Sequence, residues 1–153
     1  MPTPIAALLA LRLAASCAPA PCDCAPPPPV LASRREADAV FLGRVRRVTD
    51  TTVVTPGAAS PDDVLAAEVV VLEVLATWKG AAGGTVELRI PFTDCSVPFA
   101  AGEEYLVYAT DTPYGLVTTT CSRTRPAGAA VGDMEALGEP RRPPPPASPR
   151  FAS

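Results

Sequence analysis

The stretch EVVVLEVLATWKGAAGGTVELRI, residues 68–90, decides the fold class. In its second half Val86, Leu88 and Ile90 alternate with Thr85, Glu87 and Arg89. A two-residue period of this kind marks a strand with one buried face. The first half continues a strand predicted over 65–78. There Val70, Leu72, Val74 and Trp78 are expected on one face, with Val69, Val71 and Leu75 opposite, so both faces are partly covered. Lys79-Gly80 and Gly83-Gly84 supply the turn between the two strands.

Working outward, Ala39-Val40-Phe41-Leu42-Gly43 opens a strand running to about Val48, and Gly43 within it suggests a bulge or sharp bend. Residues 50–63 read as a polar loop containing Pro56-Gly57 and Ser60-Pro61. Glu104 to Ala109 forms a fourth strand, with Tyr105 and Tyr108 on opposite faces and at least one of them in the core. Tyr114-Gly115 turns into a fifth strand, Leu116 to Cys121. Two short helices flank the set. One is a turn at 33–38 with Ser33 as N-cap and Glu36 three residues on. The other is 131–137, with Val131, Met134 and Leu137 on one face and Gly138 as the stop. Five short strands between turn signals predict an all-β fold, a small closed barrel with short flanking helices. Trp78 is expected at the barrel end, in the core.

The ends differ in composition. Eight of the 20 prolines lie in residues 1–29 and six in 140–153, which leaves the middle to hold the core. Residues 25–32, APPPPVLA, should be extended, and 139–153 should form a proline-rich disordered tail. Residues 1–20 read as a signal peptide or lipoprotein signal. Ile5 to Ala15 is an apolar run too short to span a bilayer. Two exits remain open: a lipobox-like stretch that lipidates Cys17, or a peptidase cut near Ala18-Pro19-Ala20. The destination is extracellular, periplasmic or cell-envelope, with membrane attachment only through a lipid at Cys17.

The net charge of −3 and the scattered basic residues give no nucleic-acid groove. The cluster Arg44, Arg46 and Arg47 reads as the solvated face of a strand, and Ser122 to Pro126 as a basic surface connection. The chain has no histidine, which excludes Ser-His-Asp, Cys-His and His-zinc sites. No catalytic residue and no cofactor is expected, and Glu103-Glu104 reads as a strand entry. Setting Cys17 aside, four cysteines remain: Cys22, Cys24, Cys95 and Cys121. An even set suits disulfides in an oxidising compartment. Four cysteines allow three connectivities, and the tiny ring of a Cys22–Cys24 bridge leaves two. A four-cysteine zinc site is the rival, although C-x-C is tighter than the usual spacing of two to four intervening residues.

The order CDCAPPPP (22–29), EADAVFLGRV (36–45), VVVLEVLATWKG (69–80), FAAGEEYLVYA (99–109), GLVTTTC (115–121) and CSRTRP (121–126) resembles the N-terminal domain of the tissue inhibitors of metalloproteinases, in a compact bacterial form, over residues 22–138. The resemblance implies a five-stranded OB-fold barrel, the netrin-like module. It implies the pairs Cys22–Cys95 and Cys24–Cys121. It further implies a monomeric inhibitor of a zinc metalloprotease. In that family the α-amine and carbonyl of the first mature cysteine bind the target's zinc. Carried over, Cys22 is the metal-binding residue, through its backbone and only toward the target's zinc. Asp23 enters the target's pocket, where a charged side chain is costly to bury unpaired. Cys24, Ala25, Pro26 and Pro27 line the target's groove. A free amine at Cys22 requires a cut after Pro21. The other reading is a netrin-like interaction or structural module of the cell envelope with no protease target.

Overall fold

The computed structural model describes residues 22–54, 64–81 and 83–143. The expected signal segment 1–20 and the tail from 144 onward lie outside them. In chain order the elements are helix α1 (Val30–Glu36), strands β1 (Ala39–Val54), β2 (Val64–Lys79), β3 (Thr85–Pro91), β4 (Glu104–Thr112), β5 (Gly115–Val117) and β6 (Arg125–Pro126), a 3-10 turn (Ala127–Ala129) and helix α2 (Val131–Leu137).

Five strands pair into a ring. β1 lies antiparallel to β2, β2 to β3, and β4 to β5, while β4 returns to β1 through Ala39–Arg44 against Glu104–Ala109. A single parallel pair, Leu88 with Leu116, joins β3 to β5. The chain is therefore a small all-β fold with short helices. The expected closed barrel is a ring that only one residue pair completes on that side. β6 extends the free edge of β4 through Tyr105 and Leu106.

The core has two parts because β1 and β4 bury both faces. Phe41, Val45, Val70, Leu72, Val74, Leu88, Ile90, Tyr105 and Val107 form the inner cluster. Val40, Ala76, Trp78, Leu106 and Tyr108 form an outer cluster with Ala37, Ala130 and Leu137 under the two helices. This two-sided burial explains why EYLVYA shows no alternation of polarity. Both tyrosines are buried, one in each cluster.

Trp78 departs from the expected face. In the β1–β2 register Leu42 opposes Ala76 and Gly43 opposes Val74, so Leu75 is extra; Val40 opposes Lys79 and Phe41 opposes Thr77, so Trp78 is extra. The extra residue at 75 reverses the facing of the residues after it. Val74 stays inside the ring while Trp78 joins the outer cluster, where its Nε1 donates to the Gly138 carbonyl at 2.7 Å. The bend expected at Gly43 coincides with a register shift between Leu42 and Gly43.

Other boundaries move for identifiable reasons. α1 starts at Val30 with Pro29 as its N-cap, not at Ser33. Proline's fixed φ suits a helix start, and the Ser33 hydroxyl instead donates back to the Pro28 carbonyl at 3.0 Å. The loop expected from residue 50 begins later, because Asp50–Val54 pairs with Val64–Glu68. β5 stops at Val117. Beyond it Thr118, Thr119 and Ser122 turn their hydroxyls onto backbone carbonyls and amides (Thr118 Oγ1 to Tyr108 O 2.8 Å, Ser122 Oγ to Thr119 O 2.7 Å, Cys121 N to Thr119 Oγ1 3.2 Å), which replaces the ladder by a turn. The stretch expected to be tail from residue 139 starts with described backbone, and Arg141 pairs with Thr77 in both directions at 2.8 Å.

Gly43 is tightly packed: a Cβ there would stand 3.1 Å from Leu72 Cβ and 3.1 Å from Phe41 Cε2, so a larger side chain must displace its neighbours. Gly43→Val should lower the unfolding free energy by about 1–3 kcal/mol through overpacking, read as a fall in denaturation midpoint. Gly128→Ala, where a Cβ meets nothing within 4 Å, should leave the midpoint nearly unchanged.

Candidate functional site

Three segments meet at one edge of the ring. The first is Cys22-Asp23-Cys24 with the prolines behind it. The second is the loop 92–96, closed on itself by Thr93 N to Ser96 Oγ (2.8 Å), Cys95 N to Thr93 Oγ1 (3.2 Å) and Ser96 Oγ to Pro91 O (2.7 Å). The third is the hydroxyl-rich turn 118–123. Thr120 N donates to Cys95 O at 2.9 Å, so the second and third segments already touch through backbone.

Disulfides complete the junction. Cys22 is bonded to Cys95 and Cys24 to Cys121, each pair with Cα atoms 5.1 Å apart. The pairing agrees with the one implied by the resemblance. The bridged cysteines are separated by 73 and 97 positions in sequence. A first bridge closing a loop of that length corresponds to about 4–5 kcal/mol in the chain-entropy model, and the second, closing a much shorter loop beside it, to less. The four sulfurs lie within 4.8 Å of one another.

The edge itself faces outward. Asp23, Ala25, Pro26 and Pro27 are exposed, while Cys22 and Cys24 are half-buried by their bridges. Cys24 N donates to Cys22 O at 3.1 Å, which folds the two cysteines toward each other around an outward Asp23. Beside the Cys22–Cys95 bridge lies an open, mainly apolar cavity of about 430 Å³, whose walls include Pro91, Cys95, Pro113, Tyr114 and Val117. Cys17 lies outside the described residues.

A second attachment holds the far end of the leader. Arg123 NH1 donates to the Pro28 carbonyl at 2.9 Å. The same guanidinium grips Asp133 through Nε to Oδ2 (2.8 Å) and NH2 to Oδ1 (2.9 Å), a two-pronged pair. Arg125 adds a contact to Asp133 Oδ2 at 3.2 Å. Asp133 is buried at the start of α2. The hydrogen bond from Arg123 holds its carboxyl below the usual range, against the opposing effect of burial and with help from the Arg125 charge. Tyr108 lies near these charges. Its buried hydroxyl has no partner among the described residues, and its pKa is pushed up to about 12, first by burial and then by the Asp133 carboxylate. It therefore stays protonated and neutral.

The segment expected as a basic surface connection is thus a structural lock. Thr124 is buried, Arg123 and Arg125 point to Asp133, and Arg123 reaches the leader. Sequence reasoning missed Asp133. No local pattern marks it: Arg123 ends a turn, Arg125 opens β6, and Asp133 lies in the first turn of α2. The cluster Arg44–Arg47 lies as expected on a solvated strand face, with Arg44 paired to Glu104 at 2.6 Å and Arg46 paired to Glu73. Among the described residues no helix is long and apolar enough to cross a membrane. Compared with known proteins, the chain matches no family model and no curated sequence.

The lock has a pH signature. Asp133 has a depressed folded-state pKa, so its stabilisation is complete above the unfolded value, about 3.9, and is lost as pH falls through the lower folded value. Wild-type stability should therefore drop on acidification below about pH 4. Asp133→Asn should remove that part of the slope and cost about 2–4 kcal/mol at neutral pH, because it leaves partly buried guanidinium groups without their counter-charge. Denaturant midpoints measured from pH 2 to 7 check both.

Proposed function

We propose that this chain is a secreted or lipid-anchored protein of the tissue-inhibitor-of-metalloproteinases type, with an OB-like, netrin-like domain that blocks zinc metalloendopeptidases. The observation that carries this reading is the Cys22-Asp23-Cys24 edge, with Asp23 exposed and both cysteines bridged to a five-stranded ring. The motif order from CDCAPPPP to CSRTRP supports it. The two disulfides also fit export to an oxidising compartment.

The chemistry rests on the edge. When the mature chain begins at Cys22, its neutral α-amine offers a lone pair to the target's zinc. The Cys22 carbonyl offers a second donor: it already accepts from Cys24 N, and a carbonyl oxygen has two lone pairs. Together they displace the water that the protease would activate. Because the bridges hold both groups before binding, little ordering entropy is lost on docking. Asp23 projects between the cysteines toward the target's specificity pocket, and Cys24 to Pro27 lie along its groove. An anionic side chain at that place selects against apolar pockets and in favour of a pocket that offers a donor or a cation.

The test is titration of a panel of zinc endopeptidases with chain beginning at Cys22. Inhibition at micromolar concentration is expected. It should vanish when one residue, Pro21, is left in front, because the amine then becomes a peptide nitrogen. Asp23→Ala should tighten binding to proteases with apolar pockets. If no protease in the panel is slowed by the Cys22 form, the inhibitor reading fails and the netrin-like interaction module of the cell envelope takes its place.

A further inference from the structure

We propose that the four cysteines form a second, reduced state in which Cys22, Cys24, Cys95 and Cys121 hold one tetrahedral zinc ion as four thiolates. The inference stands independently of the inhibitory reading. Its basis is the placement of the sulfurs. A zinc–thiolate bond of about 2.3 Å sets the edge of a regular four-sulfur tetrahedron near 3.8 Å. Between sulfurs that share no bridge, Cys22 and Cys121 are 3.4 Å apart, Cys22 and Cys24 are 3.5 Å apart, and Cys121 and Cys95 are 3.9 Å apart. These three of the four unbridged pairs bracket the required edge, and on reduction the two bridged pairs must open from bonding distance to it. All four sulfurs fit within 4.8 Å.

The C-x-C spacing is one residue shorter than zinc motifs favour, but the backbone here compensates for it. The bond from Cys24 N to Cys22 O at 3.1 Å curls the chain so that both side chains turn to the same side. The other two ligands come from loops tied to each other by Thr120 N to Cys95 O, at 2.9 Å, independently of any disulfide. That bond holds two of the four ligands near each other after reduction. The Arg123 contact to Pro28 holds the leader close as well.

The conversion is balanced in electrons and protons. Two dithiol molecules each pass two electrons and two protons to one bridge, giving four protein thiols and two oxidised dithiols. Zinc then binds the four sulfurs and releases four protons, leaving a site with net charge −2. The consequence is that the leader stays clamped to the ring under reducing conditions as well as oxidising ones, by metal in one state and by disulfides in the other.

The test uses the full chain, reduced anaerobically with a water-soluble phosphine and titrated with Co²⁺ as a spectroscopic substitute for Zn²⁺. One equivalent should bind, with thiolate-to-cobalt charge-transfer absorption and the visible bands of a tetrahedral site, and zinc should bleach both. Cys121→Ser should weaken binding by more than about tenfold, while Cys17→Ser should not change it. Bound metal should raise the melting temperature of the reduced chain by several degrees. The proposal is overturned if no cobalt–thiolate absorption appears, or if the urea-unfolded chain binds cobalt equally well. It is also overturned if a reduced chain that has lost its fold does not recover it on adding metal.

Discussion

The two bridges that hold Cys22 and Cys24 to the ring are the constraint on which the other features rest. In the leader CDCAPPPP, residues 22–29, Ala25 and the four prolines lie exposed, so burial of apolar surface does not hold it on the domain. Covalent bonds can. They tie residues 22 and 24 to positions 73 and 97 residues away, joining segments that the unfolded chain would keep far apart. A domain of about 100 residues also has only a modest core. The same bridges therefore stabilise the ring and set the edge. Four prolines in succession add stiffness, since their φ angles are already fixed before folding.

The ring can accept such a leader because its strands are covered on both sides. β1 and β4 face the inner cluster with Phe41, Val45, Tyr105 and Val107, and the outer cluster with Val40, Leu106 and Tyr108. The outer cluster seats α1 and α2, and those helices carry the attachments. α1 comes directly after the prolines, and α2 presents Asp133. The extra residue Leu75 makes this geometry, because it turns the side chains that follow, Ala76 and Trp78, from inside the ring to the outside. Without that reversal the indole would compete for space with Phe41 inside the ring, and the Gly138 carbonyl would lose its donor.

Legibility in the sequence depends on how local each signal is. Thr85–Ile90 is readable because one face is buried and the other solvated, and the strand lies nearly where its alternation predicts. The Gly43 irregularity is readable because glycine within an apolar strand marks close approach. Leu75 and Trp78 give no such mark: a bulge is set by the register of two strands, and the apolar run on both faces conceals parity. The threonine run 118–120 misleads because β-branched residues favour strands by propensity, whereas here their hydroxyls hydrogen-bond nearby backbone and form a turn. For the site, the cysteines and the exposed leader are legible from composition and spacing. The Arg123–Asp133 pair is not, because residues ten apart on different elements have no periodic relation.

The lock matters mechanically because a stiff rod held at one end can still swing. Disulfides fix Cys22 and Cys24, but the segment from Cys24 to Pro28 is about 12 Å long at the rise of polyproline II, and rotation about a single pin would sweep its far end through a wide arc. Hydrogen bonds from Arg123 and Ser33 to the Pro28 carbonyl supply the second pin. Cys121, which holds the near end, and Arg123, which holds the far end, sit two residues apart on one turn. That turn is rigid in its own right, through Thr118 Oγ1 bonded to Tyr108 O and to the Thr124 and Ser122 hydroxyls at 2.7–3.0 Å. Both ends of the leader are thus referenced to one inflexible segment. Its direction relative to the ring is set by the fold rather than by whatever it meets.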